Sequence, residues 1–398
     1  MESKQIRVLR EQFGDAFYLL DSKQFKLNYQ ELKEAFLLVY PKFNIAYSYK
    51  TNYTPKLCKI VDQFGGYAEV VSEMELELAL KIGAKPKHII WNGPIKNPAR
   101  LADFLLLGGI VNIDSIDDLE LIKPIVSNNP NSIFQLGIRV NYDVYDDVIS
   151  RFGFDVESSD FVECLDFVKK TKNVEFASLQ CHFAKRSVEY WPARAKGMVE
   201  LLNRIDVMPK RIDLGGGIFG KMPDSLKQQF DMRIPEYKEY ANAVKVLADR
   251  LADNGPELLI EPGSALVGDC MQFVGTVKTI KSVRGKWFAS VLGSQKNISM
   301  SGVNPPIEIV HMGGEFKHYD NLDFVGFTCI EGDVLYKNFC GDLAKEDAIV
   351  ISNCGSYSIV MKPPFILPNF PIIDISEGET ELIKREETFD DLFHTFVF

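Results

Sequence analysis

Four stretches of the 398-residue sequence place reactive side chains where packing alone does not call for them. "NIAYSYKTNY" (44–53) runs from an alternating apolar segment into Lys50, "VEFASLQCH" into His182, "RIDLGGGIFG" into Gly215, Gly216 and Gly217, and "ELLIEPG" into Glu261. A lysine amine condenses with carbonyls, consecutive glycines let backbone N–H groups close on an anion, and a buried carboxylate holds a protonated ring nitrogen. Singly, each has a plainer account: a solvated strand end, a satisfied core histidine, a tight turn. The glycine run also fits the dinucleotide pattern G-x-G-x-x-G, but that pattern belongs to the first βα turn of its fold, and here it follows seven strands.

The elements that must carry these residues decide between the readings. Runs with strand character occur at 44–49, 67–71, 88–91, 110–113, 134–140, 174–181, 211–214 and 257–261, separated by helical patterns. Two of those helices have legible starts: Ser72 with Glu75 in capping-box spacing, closed at Gly83, and Ser115. Eight strands alternating with helices over about 220 residues predict a (β/α)8 TIM-like barrel, with an open doubly wound sheet as the rival. In a barrel, the C-terminal strand ends face one mouth, which gathers Lys50, Asn92, Gly93, Arg139, Asn141, His182, the three glycines and Glu261. That set is the inventory of a pyridoxal phosphate site: the lysine for a Schiff base, the glycines for the phosphate, the carboxylate for the pyridine nitrogen.

After Glu261 the texture changes. Segments at 271–283, 286–292, 307–312, 324–329 and 347–353 are β-rich without strong helical stretches between them, which predicts a second, all-β domain. The expected division is a barrel over 26–265 and a C-terminal β domain over 266–398, completed by residues 1–25 through "DAFYLLD". Lys+Arg 45 against Asp+Glu 55 leaves a net charge of −10 with no basic run to track a phosphate backbone, so nucleic acid is not an expected partner. Nor is a membrane: no stretch offers the ~18 apolar residues of a spanning helix and the first residues lack a signal-peptide core, which points to the cytoplasm. Seven scattered cysteines without a C-x-x-C pair are expected reduced, and five histidines without ligand spacing predict no metal site.

The order of the motifs adds a resemblance. "YSYKTN" around Lys50, "EVVSEMEL" (69–76), "WNGPIK" (91–96), "NIDSIDDLE" (112–120), "IRVN" (138–141), "CH" (181–182), "IDLGGG" (212–217), "EPG" (261–263), "TCIEGDVL" (328–335) and "CGSYSIVM" (354–361) together resemble the fold type III pyridoxal-phosphate decarboxylases, the diaminopimelate and ornithine decarboxylase family. The resemblance implies that Lys50 is the Schiff-base lysine, that His182 stacks on the pyridine ring, that Arg139 supports the ring face and that Glu261 pairs with its nitrogen. It further implies that Gly215 to Gly217 with Tyr357 hold the phosphate. Cys329 is implied to come from the partner subunit of a homodimer with shared sites and to reprotonate the substrate Cα, with Glu331 and Asp333 available to a distal ammonium. The expected activity is decarboxylation of an amino acid, or of an amino-acid-derived biosynthetic intermediate, to CO2 and an amine.

Several positions depart from that family. Its H-x-G-S becomes "HFAKR", with Ala184 and Lys185 for the glycine and serine, and its E-P-G-R becomes "EPGS", with Ser264 where a phosphate-binding arginine is usual. Ile330 stands where diaminopimelate decarboxylase has the glutamate that holds the distal amino group, and "SQKNISMSGVNPPI" shows no match to its Asn and Arg-Pro segment. Arg186, with Lys185 as second candidate, is expected to restore the phosphate charge. Two other activities fit the same barrel: an amino-acid racemase, which the cysteine motif disfavours, and a non-catalytic regulator, which retention of Lys50 and Cys329 disfavours.

Overall fold

The computed structural model describes residues 2–252, 255–298, 304–376, 378 and 380–398. It divides into two compact units, Leu27–Phe219 with Ile234–Ala265, and Met1–Lys26 with Gly220–Arg233 and Leu266–Phe398. Eight parallel strands organise the first: β1 (Phe43–Ser48), β2 (Tyr67–Val70), β3 (Ile89–Trp91), β4 (Ile110–Ile113), β5 (Phe134–Asn141), β6 (Val174–Gln180), β7 (Arg211–Asp213) and β8 (Glu257–Ile260). Their order, β4-β3-β2-β1-β8-β7-β6-β5, closes through a further β4–β5 pairing. An open doubly wound sheet would leave two edges; this ring is a closed barrel.

Strand periodicity places the chemistry. Residues two apart share a face, and Ala46, Tyr67, Ile90, Ile110 and Leu259, with Ala177, pack as one apolar cluster. Two positions further along five of these strands stand Ser48, Glu69, Asn92, Asn112 and Glu261, all buried. The barrel thus exchanges an apolar layer for a polar one on approaching its C-terminal end. The helices start as their sequences predict: Ser72 Oγ accepts from the Glu75 N–H at 3.3 Å, and Glu75 reaches back to the Val71 N–H at 2.7 Å. Ser115 likewise accepts from the Asp118 N–H at 3.3 Å, while the Asp118 carboxylate pairs with buried Lys96.

The second unit is built on a nine-stranded sheet around Met271–Val283, which pairs antiparallel with Ala16–Leu20, Lys286–Val291 and Ala348–Ile351. Ser3–Phe13, expected only as a lead into the strand, is a helix; Ile6 and Leu9 fall three apart on one face and join Phe17, Val274 and Val350 in the core. The strand expected over 324–329 stops at Val325, and Val334–Leu343, which the sequence did not announce, returns antiparallel to Lys317–Val325. Asp333 draws this turn: its carboxylate accepts from Ser294 Oγ (3.0 Å), the Gln295 N–H (2.7 Å) and Thr328 Oγ1 (2.6 Å). Residues 299–303 of the "SQKNISMSGVNPPI" segment lie outside the described residues.

Candidate active site

β1 ends in a single turn of 3-10 helix, Tyr49–Thr51, which lifts Lys50 out of the strand. Its Nζ pairs with Glu69 at the end of β2 and lies 3.4 Å from Ser48 Oγ, which donates to Glu69 at 2.7 Å. The Asn92 amide, just past β3, donates to both Glu69 (3.2 Å) and Glu261. Asn112 donates to Asn92 at 2.6 Å, Ser178 to Asn112, and Gln180 to Glu261 at 3.1 Å. Six strand ends are thereby joined in one hydrogen-bonded network with Lys50 as its cation.

Three carboxylates meet there with almost no solvent: Glu69, Asp213 and Glu261 are 1%, 0% and 4% exposed. Burial pushes the Asp213 carboxyl up to about 7 and Glu261 well above its ordinary value, and the neighbouring negative charges add to the shift of both. The pair therefore retains a proton near neutral pH. Asp213 Oδ2 and Gln180 Oε1 find no hydrogen-bond partner among the described residues. A buried acceptor without a donor is costly, and carboxylates that compete for one proton are suited to a cationic ring N–H.

His182 Nδ1 accepts the Gly216 N–H at 3.0 Å, which leaves its own proton on Nε2. Burial, then the charges of Arg194, Lys50, Arg139 and Arg186, hold its pKa well below the ordinary value, so the ring is neutral. Arg139 pairs with Asp114 at 3.1 Å and covers the Phe152 ring at 4.6 Å.

The glycine loop is packed tightly against neighbouring backbone. A Cβ at Gly216 would stand 2.5 Å from the Glu261 carbonyl oxygen, and Gly217 has φ +91°. Arg194, fully buried in helix Trp191–Arg204, lies against this loop and donates from Nη1 to the carbonyls of Leu214 (2.9 Å) and Gly216 (2.8 Å). Its guanidinium packs on the Trp191 ring at 4.4 Å, and its Nε and Nη2 have no partner among the described residues. In a trans peptide the C=O and the following N–H point opposite ways. Holding the Gly216 carbonyl therefore turns the Gly217 N–H to the other side of the loop.

The other expected site residues are placed differently. Lys185 and Arg186 are exposed; the Arg186 carbonyl accepts from Tyr240 at 2.7 Å and its guanidinium lies 5.9 Å from the Phe219 ring. In the second unit, Cys329 and Glu331 are exposed on the turn 326–333, and Tyr357 is half-buried with φ +61°. Asp333, expected to meet a substrate ammonium, is buried with its oxygens engaged by the chain, so it braces the Cys329 turn instead. All seven cysteines are free. Among the described residues one group of possible metal ligands does occur where none was expected, His318, Asp320 and Cys340, because its members come from two adjacent strands.

Sequence reasoning missed Glu69, Asp213 and Arg194. The first two carried a signal: Glu69 is the one ionisable residue of "YAEVV", and Asp213 lies between Ile212 and Leu214. Arg194 carried a fainter one: a cation near the start of a helix, where the macrodipole disfavours positive charge.

The family described as "Pyridoxal-dependent decarboxylase, pyridoxal binding domain" matches residues 24–268, and the chain belongs to it as a carboxy-lyase of amino-acid metabolism. Diaminopimelate decarboxylase of Aquifex aeolicus is 24% identical over 408 residues, covering 98% of this chain and 93% of that protein. The crystal structure of diaminopimelate decarboxylase from Methanocaldococcus jannaschii in complex with L-lysine superposes with a TM-score of 0.85 at 23% identity, over 98% and 94% of the two chains. The lysine/ornithine decarboxylase of Vibrio vulnificus with cadaverine gives 0.76 at 19% identity, over 94% and 95%. Among the described residues, no helix is long and apolar enough to cross a membrane.

Proposed function

We propose that the protein decarboxylates an amino acid, or an amino-acid-derived biosynthetic intermediate, on pyridoxal phosphate held at Lys50, and that it works as a cytoplasmic homodimer. The observation that carries this reading is Glu261, buried, oriented by the Asn92 and Gln180 amides and set beside Asp213 so that its affinity for a proton is high. The bound cofactor supplies an electron sink for the pair left when CO2 departs. Everything else falls to the chain. Glu69 holds and orients the Lys50 side chain, and Glu261 holds a ring N–H. His182 offers a flat uncharged face, and the Gly217 N–H with Tyr357 holds phosphate oxygens. The exposed Cys329 thiol, supplied by a second copy of the chain, protonates the substrate Cα.

For the phosphate charge we assign Arg194 in place of Arg186. Arg194 is buried without an ion-pair partner among the described residues, and its hydrogen bonds to two loop carbonyls extend its positive charge through the peptide groups to the amides beyond. Ser264 need then supply none. With Ile330 in the glutamate's place, free diaminopimelate is expected to be a poor substrate and a differently substituted amino acid the good one.

The test is CO2 release by the purified protein from a panel of amino acids, diaminopimelate and amino-acid conjugates. Release of CO2 with formation of the matching amine supports the proposal. Interconversion of enantiomers without CO2 would replace it by a racemase, and absence of a cofactor chromophore by a regulator. Mixing inactive Lys50→Ala chains with inactive Cys329→Ala chains should restore partial activity after subunit exchange; no recovery counts against the shared site.

A further inference from the structure

We infer that the second unit carries a Zn2+ site formed by His318, Asp320 and Cys340, with Asp342 orienting the imidazole. The backbone register creates it. Lys317–Val325 and Val334–Leu343 run antiparallel, with His318 opposite Asp342 and Tyr319 opposite Gly341. Pairing resumes at Leu322 with Phe339, so Asp320 and Asn321 together oppose the single residue Cys340. Such a bulge re-aims side chains, and residues two apart share a face. His318 and Asp320 on one strand and Cys340 and Asp342 on the next therefore form a four-residue patch.

The side chains converge within that patch. One ligand atom from each of His318, Asp320 and Cys340 lies within 4.8 Å of the others. His318 Nε2 is 3.9 Å from Cys340 Sγ and 3.6 Å from Asp320 Oδ1. Zn–ligand lengths of about 2.0–2.3 Å in a tetrahedron require ligand separations of roughly 3.3–3.6 Å. The two separations from His318 already lie within a few tenths of an ångström of that range, and rotation of the exposed Asp320 and Cys340 side chains, whose ligand atoms are within 4.8 Å, would close the set.

Two observations beyond proximity favour a cation. Asp342 Oδ1 lies 2.8 Å from His318 Nδ1, which fixes the ring proton there and leaves the Nε2 lone pair facing Cys340 and Asp320. This is the carboxylate–imidazole arrangement that orients metal-bound histidines. The only ion pairs of Asp320 and Asp342 among the described residues are with His318, so two carboxylates and a thiol gather without a lysine or arginine between them. Sulfur and imidazole donors select Zn2+ over Mg2+ or Ca2+, which take oxygen. A water fills the fourth position, and binding releases the thiol proton. An ion held only by the folded ribbon stabilises it by mass action. None of this depends on the cofactor.

The test is a Zn2+ titration of the holoenzyme against a chromophoric chelator, with Co2+ as the spectroscopic probe. The expected result is one equivalent per chain and a thiolate-to-cobalt charge-transfer band. Cys340→Ala should abolish the band, and both it and His318→Ala should lower Zn2+ affinity by ~100-fold or more, beyond the about 10–100-fold that loss of an outer partner such as Asp342 costs. Cys329→Ala should keep the band. All four positions are exposed, and circular dichroism verifies that each variant folds. A band that survives Cys340→Ala, a Zn2+ affinity unmoved by His318→Ala, or no stoichiometric binding overturns the site.

Discussion

The barrel mouth and the turn at 326–333 support their reactive groups in contrasting ways. At the mouth, Lys50, Glu69, Asn92, Gln180 and Glu261 come from five separate strand ends and bond to one another; all but the lysine are buried. On the turn, Cys329 and Glu331 are exposed, and one carboxylate, Asp333, does most of the bracing. Groups that must act on a bond need a fixed geometry, which interlocked strands provide at the mouth and Asp333 provides on the turn that carries the proposed proton donor Cys329. Groups that read a substrate's far end can sit on a turn whose sequence is freer to change. Of the departures from the family, Ile330 falls on the turn, whereas Ala184, Lys185 and Ser264 fall just past strand ends of the barrel.

The comparison breaks first at Lys50. Lys50→Ala should abolish CO2 release and the covalent tag left by borohydride; a tag on another lysine would remove the chemistry from the mouth. Glu261→Gln comes next, with an expected fall in kcat of about 10²–10³-fold while the cofactor stays bound, the scale of losing one preorganised electrostatic group. A threefold effect or less, about 0.6 kcal/mol, would mean that the three carboxylates do not act as a unit. Arg194→Met should weaken pyridoxal phosphate binding roughly ten- to a hundredfold and leave unphosphorylated pyridoxal untouched. Equal losses for both ligands would reduce Arg194 to packing.

Asp333→Asn sharpens the other side of the comparison. It leaves a buried polar group imperfectly paired at about 1–3 kcal/mol, and it should alter KM and kcat without changing cofactor affinity; unchanged kinetics would free the turn from any role. The smallest effect concerns pH. The Asp213 carboxyl is raised to about 7 in the folded chain from an ordinary 3.8, so between those values the native state binds more protons than the unfolded one and its stability falls as pH rises. His182, held well below its ordinary 6.5, contributes in the opposite sense. The melting temperature of the cofactor-free parent should therefore fall relative to that of Asp213→Asn as pH rises from 4 to 7.

The barrel was legible because its strands are buried runs bounded by clear punctuation; each of the eight begins and ends within about two residues of its expected place. The residues at strand ends were legible for the same reason, since the fold alone brings them to one mouth. Val334–Leu343 was not, because "VLYKNFCGDL" faces solvent along much of its length and offers no hydrophobic alternation to read. Arg194 and the His318–Cys340 patch were hidden more deeply. Each depends on contact between segments about twenty residues apart, through carbonyls in one case and strand register in the other, and neither leaves a local pattern.

The crowding of Glu69, Asp213 and Glu261 also bears on how the protein endures in a cell. Like charges forced together in a dry interior make the fold weaker than its length would permit, a debt that the resident ligand settles by binding only the native chain. Neutral replacements at Asp213 or Glu261 should then give cofactor-free proteins that resist heat and proteolysis better than the parent while doing no chemistry, the usual exchange between durability and activity. Abundance of the enzyme would follow the supply of its vitamin, because chains left without it spend more time open to degradation.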